Sequence, residues 1–298
     1  MQTKINGITL SNDHELKFIV ASGALGFDGR GWSWEAPLHW VNLLQPNLFT
    51  VVLKTITQNP RAGNGQGVGL VKTVRVLRHG TVNAVGMRNP GINGWLAKHA
   101  PKIPSDLPVV ISIFGSNQEL ENMATVIKQE MADGKLSSKK IVGIEINISC
   151  PNVQECGLPT DLVATCRKVK ELTCLPLLIK LGYDPQKNYL LTATSLSGIA
   201  EAVQINSVPW RYAFPSRTSP LDHFGGGGVS GKIVQHLTWQ MASELSQIMP
   251  TVWPSIWSYQ DIAKAEKQGA KAVTFGSIFL LRPWAPTLYV RRYNQQSV

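Results

Sequence analysis

The sequence lacks a long hydrophobic run: no window of about 18 uninterrupted apolar residues occurs, so no transmembrane helix is expected. The first 17 residues are polar and mixed in charge, without the basic-then-apolar order of a signal peptide. We therefore expect a soluble, cytoplasmic protein with no membrane contact.

Cysteine is scarce, and the four cysteines lie close together at Cys150, Cys156, Cys166 and Cys174. Their gaps are wide and no histidine lies between positions 100 and 222, so we expect reduced thiols and no metal site. Acidic residues are also few, 19 against 29 basic ones, which gives a net charge of +10. The basic residues are scattered without a dense run, which is typical of a solvated surface and does not indicate a nucleic-acid partner.

What the chain does have is a composition suited to one large core. Its 298 residues are 43% hydrophobic and only 16% charged, which is typical of a globular protein, and the length predicts a single domain over 1–298. Eight short apolar runs are typical of buried parallel strands. They cover 17–22, 49–54, 109–113, 142–147, 177–181, 201–206, 249–252 and 270–276.

Helical periodicity lies between most of these runs, at 117–132, 161–172, 231–248 and 261–268, with Gly269 as a C-cap. The alternation predicts a (β/α)₈ TIM barrel with inserted loops at its C-terminal mouth. A doubly wound open sheet is the alternative fold, but no G-x-G-x-x-G follows the first strand. A glycine-rich loop over 59–94 is expected to cover the mouth. The glycine run 225–231 is expected to precede a helix, where it could hold a phosphate or a flavin edge with its backbone N–H groups or serve as a flexible linker.

Most of the predicted strands end in polar residues. Since the carboxyl ends of barrel strands converge on one face, this pattern predicts an enzyme active site there. Lys54 and Lys180 lie inside apolar runs, where a charge is costly to bury unless it is paired. They either bind an anionic or electron-rich ring, or they snorkel to solvent or form structural ion pairs. Cys150 on a mouth loop could act as a base or nucleophile, but no histidine near it in sequence supports a Cys–His nucleophile.

The motifs resemble one family. The stretch Asn147-Ile148-Ser149-Cys150-Pro151-Asn152 is close to the N-[IL]-S-C-P-N of the dihydroorotate dehydrogenases, in particular the soluble class with a cysteine base. The resemblance runs from about Leu16 to about Arg282. Further elements follow in the family's order: 21–23, Lys54-Thr55, the substrate loop 83–91, Lys180, Asn206-Ser207, 228–231 and Gly276-Ser277.

The resemblance implies an FMN enzyme that oxidises dihydroorotate to orotate in pyrimidine synthesis, with Cys150 as general base and Lys54 as the second catalytic residue. The implied substrate-binding residues are Lys54, Asn83, Val85, Gly86, Met87, Asn147, Asn152, Asn206 and Ser207. The implied FMN-binding residues are Ala21, Ser22, Gly23, Lys54, Thr55, Asn147, Lys180, Ile205, Ser230, Gly231, Ser255, Gly276 and Ser277. The resemblance also implies a homodimer. The family's soluble members reduce either fumarate or, through an iron–sulfur and flavin partner subunit, NAD, and the Asn-Pro-Gly form of the substrate loop is more similar to the NAD-linked branch.

One departure from the family pattern follows the seventh predicted strand. The family has Gly-Gly-Ile there, where backbone amides bind the FMN phosphate, whereas this chain has Pro254-Ser255-Ile256. Proline has no N–H to donate, and Trp253 and Trp257 are bulky for such a place. Weaker FMN binding, a shifted pose and other contacts all remain open. Two alternative functions follow: a related FMN oxidoreductase acting on another reduced pyrimidine or similar ring, and a degenerate barrel without FMN that serves as a binding protein.

Overall fold

The computed structural model describes residues 5–65, 72–149 and 160–296. The strands within these ranges are β1 (Ile8–Thr9), β2 (Glu15–Leu16), β3 (Phe18–Val20), β4 (Thr50–Val52), β5 (Val74–Leu77), β6 (Gly80–Asn83), β7 (Val109–Ile113), β8 (Ile141–Asn147), β9 (Leu177–Leu181), β10 (Ala202–Ile205), β11 (Val208–Pro209), β12 (Gly228–Gly231), β13 (Thr251–Trp253) and β14 (Ala272–Phe275). The helices are α1 (Ala36–Trp40), α2 (Gly91–Lys98), α3 (Asn117–Ala132), α4 (Leu162–Thr173), α5 (Asn188–Leu196), α6 (Trp210–Ala213), α7 (Gln235–Leu245), α8 (Tyr259–Lys267), α9 (Ser277–Leu281) and α10 (Ala285–Gln295).

Eight parallel strands form a closed barrel. Going round it, the order is β3, β4, β7, β8, β9, β10, β13 and β14, and β14 pairs with β3. Each of the eight predicted apolar runs overlaps one of these strands, and helices lie between them, so the predicted (β/α)₈ barrel is confirmed. A parallel strand needs its neighbours on both sides and apolar layers on both faces, which is why these runs show no alternation.

The amino-terminal end of the barrel is closed by the antiparallel hairpin β1–β2, in which Ile8 pairs with Leu16. Ile8, Leu10 and Leu16 pack against one inward-facing apolar residue from every barrel strand. A second, larger core fills the space between the strands and the surrounding helices. Because apolar side chains of the described residues fill this end, the space for a ligand lies at the opposite end, where the strands terminate.

A separate four-stranded antiparallel sheet stands at that opposite end, in the order β11–β12–β6–β5. The expectation that 59–94 forms a glycine-rich loop was therefore wrong, since the described part of this segment contains β5, β6 and the start of α2. Val82, Val208 and Val229 from the sheet are fully buried in a small core of their own. This core makes the four-stranded sheet one wall of the mouth.

Three predicted helices, now α3, α4 and α8, begin within two residues of their predicted starts. The predicted capping glycine, Gly269, comes directly after the C-cap residue of α8 and has a φ of +92°. The prediction of a helix over 231–248 was wrong at its start. Residues 228–231 pair with β6, and the short 3₁₀ turn Lys232–Val234 comes before α7. Gly231 has a φ of +106°, outside the helical region, so the glycine run does not lead directly into the helix. No helix in the described ranges is both long and apolar enough to span a bilayer.

Candidate active site

A cavity of about 1940 Å³ opens at the carboxyl ends of the barrel strands, between the barrel and the four-stranded sheet. Every predicted site residue that the structure describes lines it. They are Ala21, Ser22, Gly23, Lys54, Thr55, Asn83, Val85, Gly86, Met87, Asn147, Lys180, Ile205, Asn206, Ser207, Ser230, Gly231, Ser255, Gly276 and Ser277. Cys150 and Asn152 lie outside the described residues.

Two lysines reach this cavity from the barrel, Lys54 just after β4 and Lys180 within β9. Lys180 is 9% exposed, and neither side-chain amine forms a salt bridge or a hydrogen bond to any residue in the described ranges. The Lys54 amine lies 5.6 Å from the centre of the Phe27 ring. Neither lysine is thus held by a direct ion pair in the described residues, although the buried Glu145 interacts electrostatically with Lys180. A buried cation without an anion in contact, as at Lys54, favours an anionic or electron-rich ligand.

The electrostatic environment of Lys54 is unfavourable for its charge. Burial lowers the pKa of Lys54 to about 8, and the positive charges of Lys180 and Arg88 contribute to the same shift. At neutral pH the Lys54 side chain is still mostly protonated, but it loses its proton more easily than an ordinary lysine. An anion placed beside it would be strongly attracted, because it would relieve the repulsion among the three cations.

Internal hydrogen bonds fix the conformation of the predicted substrate loop, residues 83–91. Asn89 lies under it: its Nδ2 donates to the Met87 carbonyl at 2.7 Å, and its Oδ1 accepts from the Thr57 and Gly91 amides at 3.1 and 2.8 Å. Gly86 has a φ of +68°, and a Cβ there would lie 2.9 Å from the Asn64 amide nitrogen. The loop is therefore tied to the residues after β4, beside Lys54.

A hydrogen-bonded group of amides and hydroxyls crosses the cavity floor. Asn147 Nδ2 donates to Thr55 Oγ1 at 3.1 Å, and its Oδ1 accepts from the Ser149 hydroxyl at 2.6 Å. Asn206 Nδ2 in turn donates to Ser149 Oγ at 2.7 Å. Two of the predicted substrate asparagines, Asn147 and Asn206, are thus joined through Ser149, the residue immediately before Cys150.

On the side of the cavity lined by the four-stranded sheet, hydroxyl groups cluster. Ser277 Oγ donates to Ser230 Oγ at 2.7 Å, and Thr81 Oγ1 lies 3.2 Å from the same oxygen. Gly228 lies against Ser207, whose hydroxyl a Cβ on Gly228 would overlap. This brings Ser207, Ser230 and Ser277 to one wall.

The unusual Pro254-Ser255 turn lies at the end of β13, on the same wall. Ser255 has a φ of +62°, in the left-handed region that glycine adopts without strain. Its carbonyl accepts from Gln235 Nε2 at 2.8 Å, and its hydroxyl lies 3.1 Å from Thr238 Oγ1. The turn thus keeps a glycine-like backbone, held in place by α7.

The two flanking tryptophans have different surroundings. Trp253 is 1% exposed and packs edge-on against Trp239 in the core between strands and helices, and it does not line the cavity. Trp257 does line the cavity, where Arg282 stacks on its ring at 5.0 Å. Of the two tryptophans beside the Pro254-Ser255 turn, Trp257 alone occupies part of the cavity wall.

Sequence reasoning missed several buried polar residues on the inner face of the barrel. Glu145 is fully buried within β8 and accepts a hydrogen bond from Ser112 Oγ at 2.6 Å. Gln204 and Thr274 line the cavity, and Gln204 Nε2 and Thr274 Oγ1 have no partner in the described residues. The available signal was a polar residue inside an otherwise apolar strand, as in IVGIEIN and VVISI.

The family model described as dihydroorotate dehydrogenase matches residues 1–282. The chain belongs to the dihydroorotate dehydrogenase family. It is 28% identical to dihydroorotate dehydrogenase B (NAD(+)), catalytic subunit, of Thermoanaerobacter pseudethanolicus, covering 95% of this chain and 89% of that protein. It is equally 28% identical to dihydroorotate dehydrogenase A (fumarate) of Lactobacillus delbrueckii subsp. bulgaricus, covering 93% and 87%.

Solved structures of dihydroorotate dehydrogenases share the fold. The Eimeria tenella DHODH in complex with ferulenol superposes with a TM-score of 0.70 at 14% identity, covering 98% of this chain and 85% of that one. The ligand-free type from the same organism gives a TM-score of 0.58 at 17% identity. At these identities the likeness supports the barrel architecture alone.

Proposed function

We propose that this member of the dihydroorotate dehydrogenase family is a flavin-dependent enzyme that oxidises dihydroorotate to orotate in pyrimidine biosynthesis. The observation that carries the proposal is the meeting, in one cavity, of the unpaired Lys54 amine with the amides of Asn83, Asn147 and Asn206. An amine suits the carboxylate and developing negative charge of such a substrate. Amides donate and accept in one plane, which suits a flat ring bearing N–H and C=O groups.

The donor set at the barrel mouth fits a flavin ring. The Gln204 amide nitrogen and the Thr274 hydroxyl are buried and lack a partner in the described residues, and Lys54 and Lys180 add two cations. Unsatisfied buried donors are costly unless a ligand supplies acceptors. The pyrimidine edge of an oxidised flavin carries ring nitrogens and carbonyl oxygens that accept hydrogen bonds, so the residues present fit this group.

The phosphate of FMN would lie at the wall formed by Ser230, Gly231, Ser255, Gly276 and Ser277. Hydroxyl groups from Ser230 and Ser277 and the Ser255 amide offer donors, which offset the N–H that Pro254 lacks. The φ of Ser255 lies in the region that glycine adopts without strain, which supports its place where the family has a glycine. We therefore favour an FMN-binding enzyme over the alternative of a degenerate barrel that has lost its flavin.

In the proposed reaction, the Cys150 thiolate takes the proton from C5 of dihydroorotate, and the hydride leaves from C6. When bound, the flavin supplies the acceptor for that hydride. Lys54, charged at neutral pH, stabilises the negative charge that develops beside it, while Asn83, Asn147, Asn152 and Asn206 hold the ring with help from Ser207. Loss of one proton and one hydride leaves the C5–C6 double bond of orotate.

The electron acceptor is proposed from the substrate loop. Its Asn-Pro-Gly form favours an NAD-linked enzyme with an iron–sulfur and flavin partner subunit over a fumarate-linked one. The equal identity to relatives of both kinds does not discriminate between them. We further propose a cytoplasmic homodimer as the core of the assembly.

The proposal is tested by turnover with dihydroorotate and an artificial electron acceptor, measuring orotate formed. Cys150→Ala is expected to keep its flavin spectrum and to lose activity by a factor of about 10² to 10⁴ at neutral pH, the usual worth of a general base. Cys174→Ala is the matched control, since Cys174 is exposed after α4. An unchanged rate in Cys150→Ala would remove Cys150 from the reaction. Wild-type protein that binds flavin but forms no orotate would favour another reduced ring as substrate.

A further inference from the structure

We propose that Glu145 is a positioning residue that, together with the Ser149 backbone N–H, fixes which way the amides of Asn147 and Asn206 face, and so sets the donor and acceptor pattern offered to substrate. The inference rests on the proposed function, because it assigns those amides to substrate binding. Glu145 itself does not line the cavity, so it acts through other residues.

A continuous chain of hydrogen bonds connects Glu145 to both asparagines. Ser112 Oγ donates to Glu145 Oε1 at 2.6 Å, and Thr55 Oγ1 lies 2.8 Å from Ser112 Oγ. Asn147 Nδ2 reaches Thr55 at 3.1 Å. Beyond Asn147 the chain continues through the Ser149 hydroxyl at 2.6 Å to Asn206 Nδ2 at 2.7 Å.

Counting hydrogens gives this chain one direction. Glu145 Oε1 accepts from Ser112, so the single hydroxyl hydrogen of Ser112 goes to Glu145 and Ser112 must accept from Thr55. Thr55 then spends its own hydrogen on Ser112 and must accept from Asn147, which can only offer its NH₂ group. The Ser22 hydroxyl lies 3.0 Å from Thr55 Oγ1 but donates to the Leu53 carbonyl at 2.9 Å. The Thr55 hydroxyl hydrogen therefore stays free for Ser112.

The same count fixes the second asparagine. With its NH₂ group directed to Thr55, Asn147 presents Oδ1 to the Ser149 hydroxyl, which donates at 2.6 Å. The Ser149 backbone N–H also donates to this oxygen, at 3.2 Å, and independently requires the same orientation. Ser149 Oγ must then accept from Asn206, which again can only use its NH₂ group. Every donor from Asn206 onward therefore points towards Glu145.

The placement of Glu145 is hard to explain by stability alone. It is fully buried, its Oε2 has no hydrogen-bond partner in the described residues, and no cation lies within salt-bridge distance there. Burial raises the pKa of Glu145, while the charge of Lys180 and the Ser112 hydrogen bond oppose that rise. Such a buried, partly unpaired carboxyl group costs stability, which favours a role in organising the site.

The orientation has a consequence for the ligand. Asn147 has its oxygen occupied and can offer only an N–H, whereas Asn206 Oδ1 has no partner in the described residues and can accept. An adjacent donor and acceptor match a ring in which a carbonyl stands next to an N–H, as in a cyclic imide or ureide. Flipping either amide would place like groups opposite each other.

The test uses flavin-loaded protein and measures orotate binding from the change in flavin absorbance, with KM and kcat for dihydroorotate. Glu145→Gln can donate as well as accept, so it releases the direction of the chain. It is expected to keep its flavin, to weaken orotate binding about tenfold and to raise KM similarly, the effect of one misdirected hydrogen bond to a buried group. Ser112→Ala interrupts the chain but keeps the carboxylate, and it is expected to give a similar loss.

The double variant Glu145→Gln/Ser112→Ala separates this role from others. Two changes in one chain should not add, so the double variant is expected to match the weaker single variant. Thr173→Val, which removes a buried hydroxyl on α4 away from the cavity, is the control and should bind orotate as the wild type does. If Glu145→Gln does not fold, Ser112→Ala alone still decides.

Three results would overturn the proposal. One is orotate binding by Ser112→Ala within about twofold of the wild type, since a direct charge effect of Glu145 on Lys180 would then explain any loss in Glu145→Gln. Another is additive losses in the double variant. The third is a wild type whose flavin dihydroorotate does not reduce, which would overturn the proposed function as well, whereas the first two leave that function standing.

Discussion

Replacing Lys54 by methionine should make the flavin-free protein more stable while it removes a catalytic group. At pH 7 the lysine is charged in both folded and unfolded chains, but burial and two neighbouring cations lower its folded pKa from 10.5 to about 8. At about 1.4 kcal/mol for each pKa unit, that difference corresponds to about 3 kcal/mol of destabilisation. Loss of the contact with Phe27 offsets part of the gain, so we expect Lys54→Met to raise the free energy of unfolding by about 2 kcal/mol.

The pH dependence has a definite sign. Between about pH 8 and 10.5 the unfolded chain keeps the proton that the folded chain has lost, so wild-type stability rises with pH in this window. The advantage of Lys54→Met should therefore shrink as pH rises from 8 to 10. Urea unfolding of flavin-free protein measures it, because bound flavin would add its own stabilisation.

The control is Lys128→Met, which changes an exposed lysine on α3 and should shift stability by no more than about 0.5 kcal/mol. The reasoning is refuted if Lys54→Met is no more stable than Lys128→Met at pH 7. It is also refuted if the gain does not change between pH 7 and 10.

Two further predictions concern packing and thiol reactivity. Gly231→Ala should destabilise the protein by more than about 2 kcal/mol and weaken flavin binding, because its φ is +106° and a Cβ would lie 2.7 Å from Gly80 Cα. Gly198→Ala, at φ +80° with open space around it, should cost only about 1 kcal/mol, and equal losses in urea unfolding would contradict the packing argument. Burial raises the pKa of Cys166 to about 12, so Cys166→Ser should not change the number of thiols labelled in native protein at pH 8, whereas Cys174→Ser should lower it by one.

The barrel was predictable because its strands are short apolar runs with little ambiguity. Helix α3 was predicted at its observed bounds, since Ser116 and Glu119 form a capping box at its start and the apolar face is regular. The four-stranded sheet was not predictable. Its ladder pairs Asn83 with Gly228, far apart in sequence, and its glycines carry no periodic signal.

The candidate site likewise contains residues that the sequence predicts and residues that it does not. Residues at strand ends, such as Lys54 and Asn206, were predicted because convergence at the barrel mouth follows from the fold. Glu145 and Ser112 were missed because their importance comes from each other, and their pairing across β7 and β8 appears only in the register. The positive φ of Ser255 could not be predicted either, because the sequence Pro-Ser-Ile carries no signal for a left-handed backbone conformation.

The central claim is that dihydroorotate reduces a flavin held at this barrel mouth. The most direct measurement is anaerobic titration of the purified protein with dihydroorotate, following flavin absorbance. We predict a yellow protein that is bleached by about one equivalent of dihydroorotate per flavin, as one hydride transfer requires. A colourless protein that stays colourless with added FMN, or a yellow one that dihydroorotate does not bleach, would contradict the account.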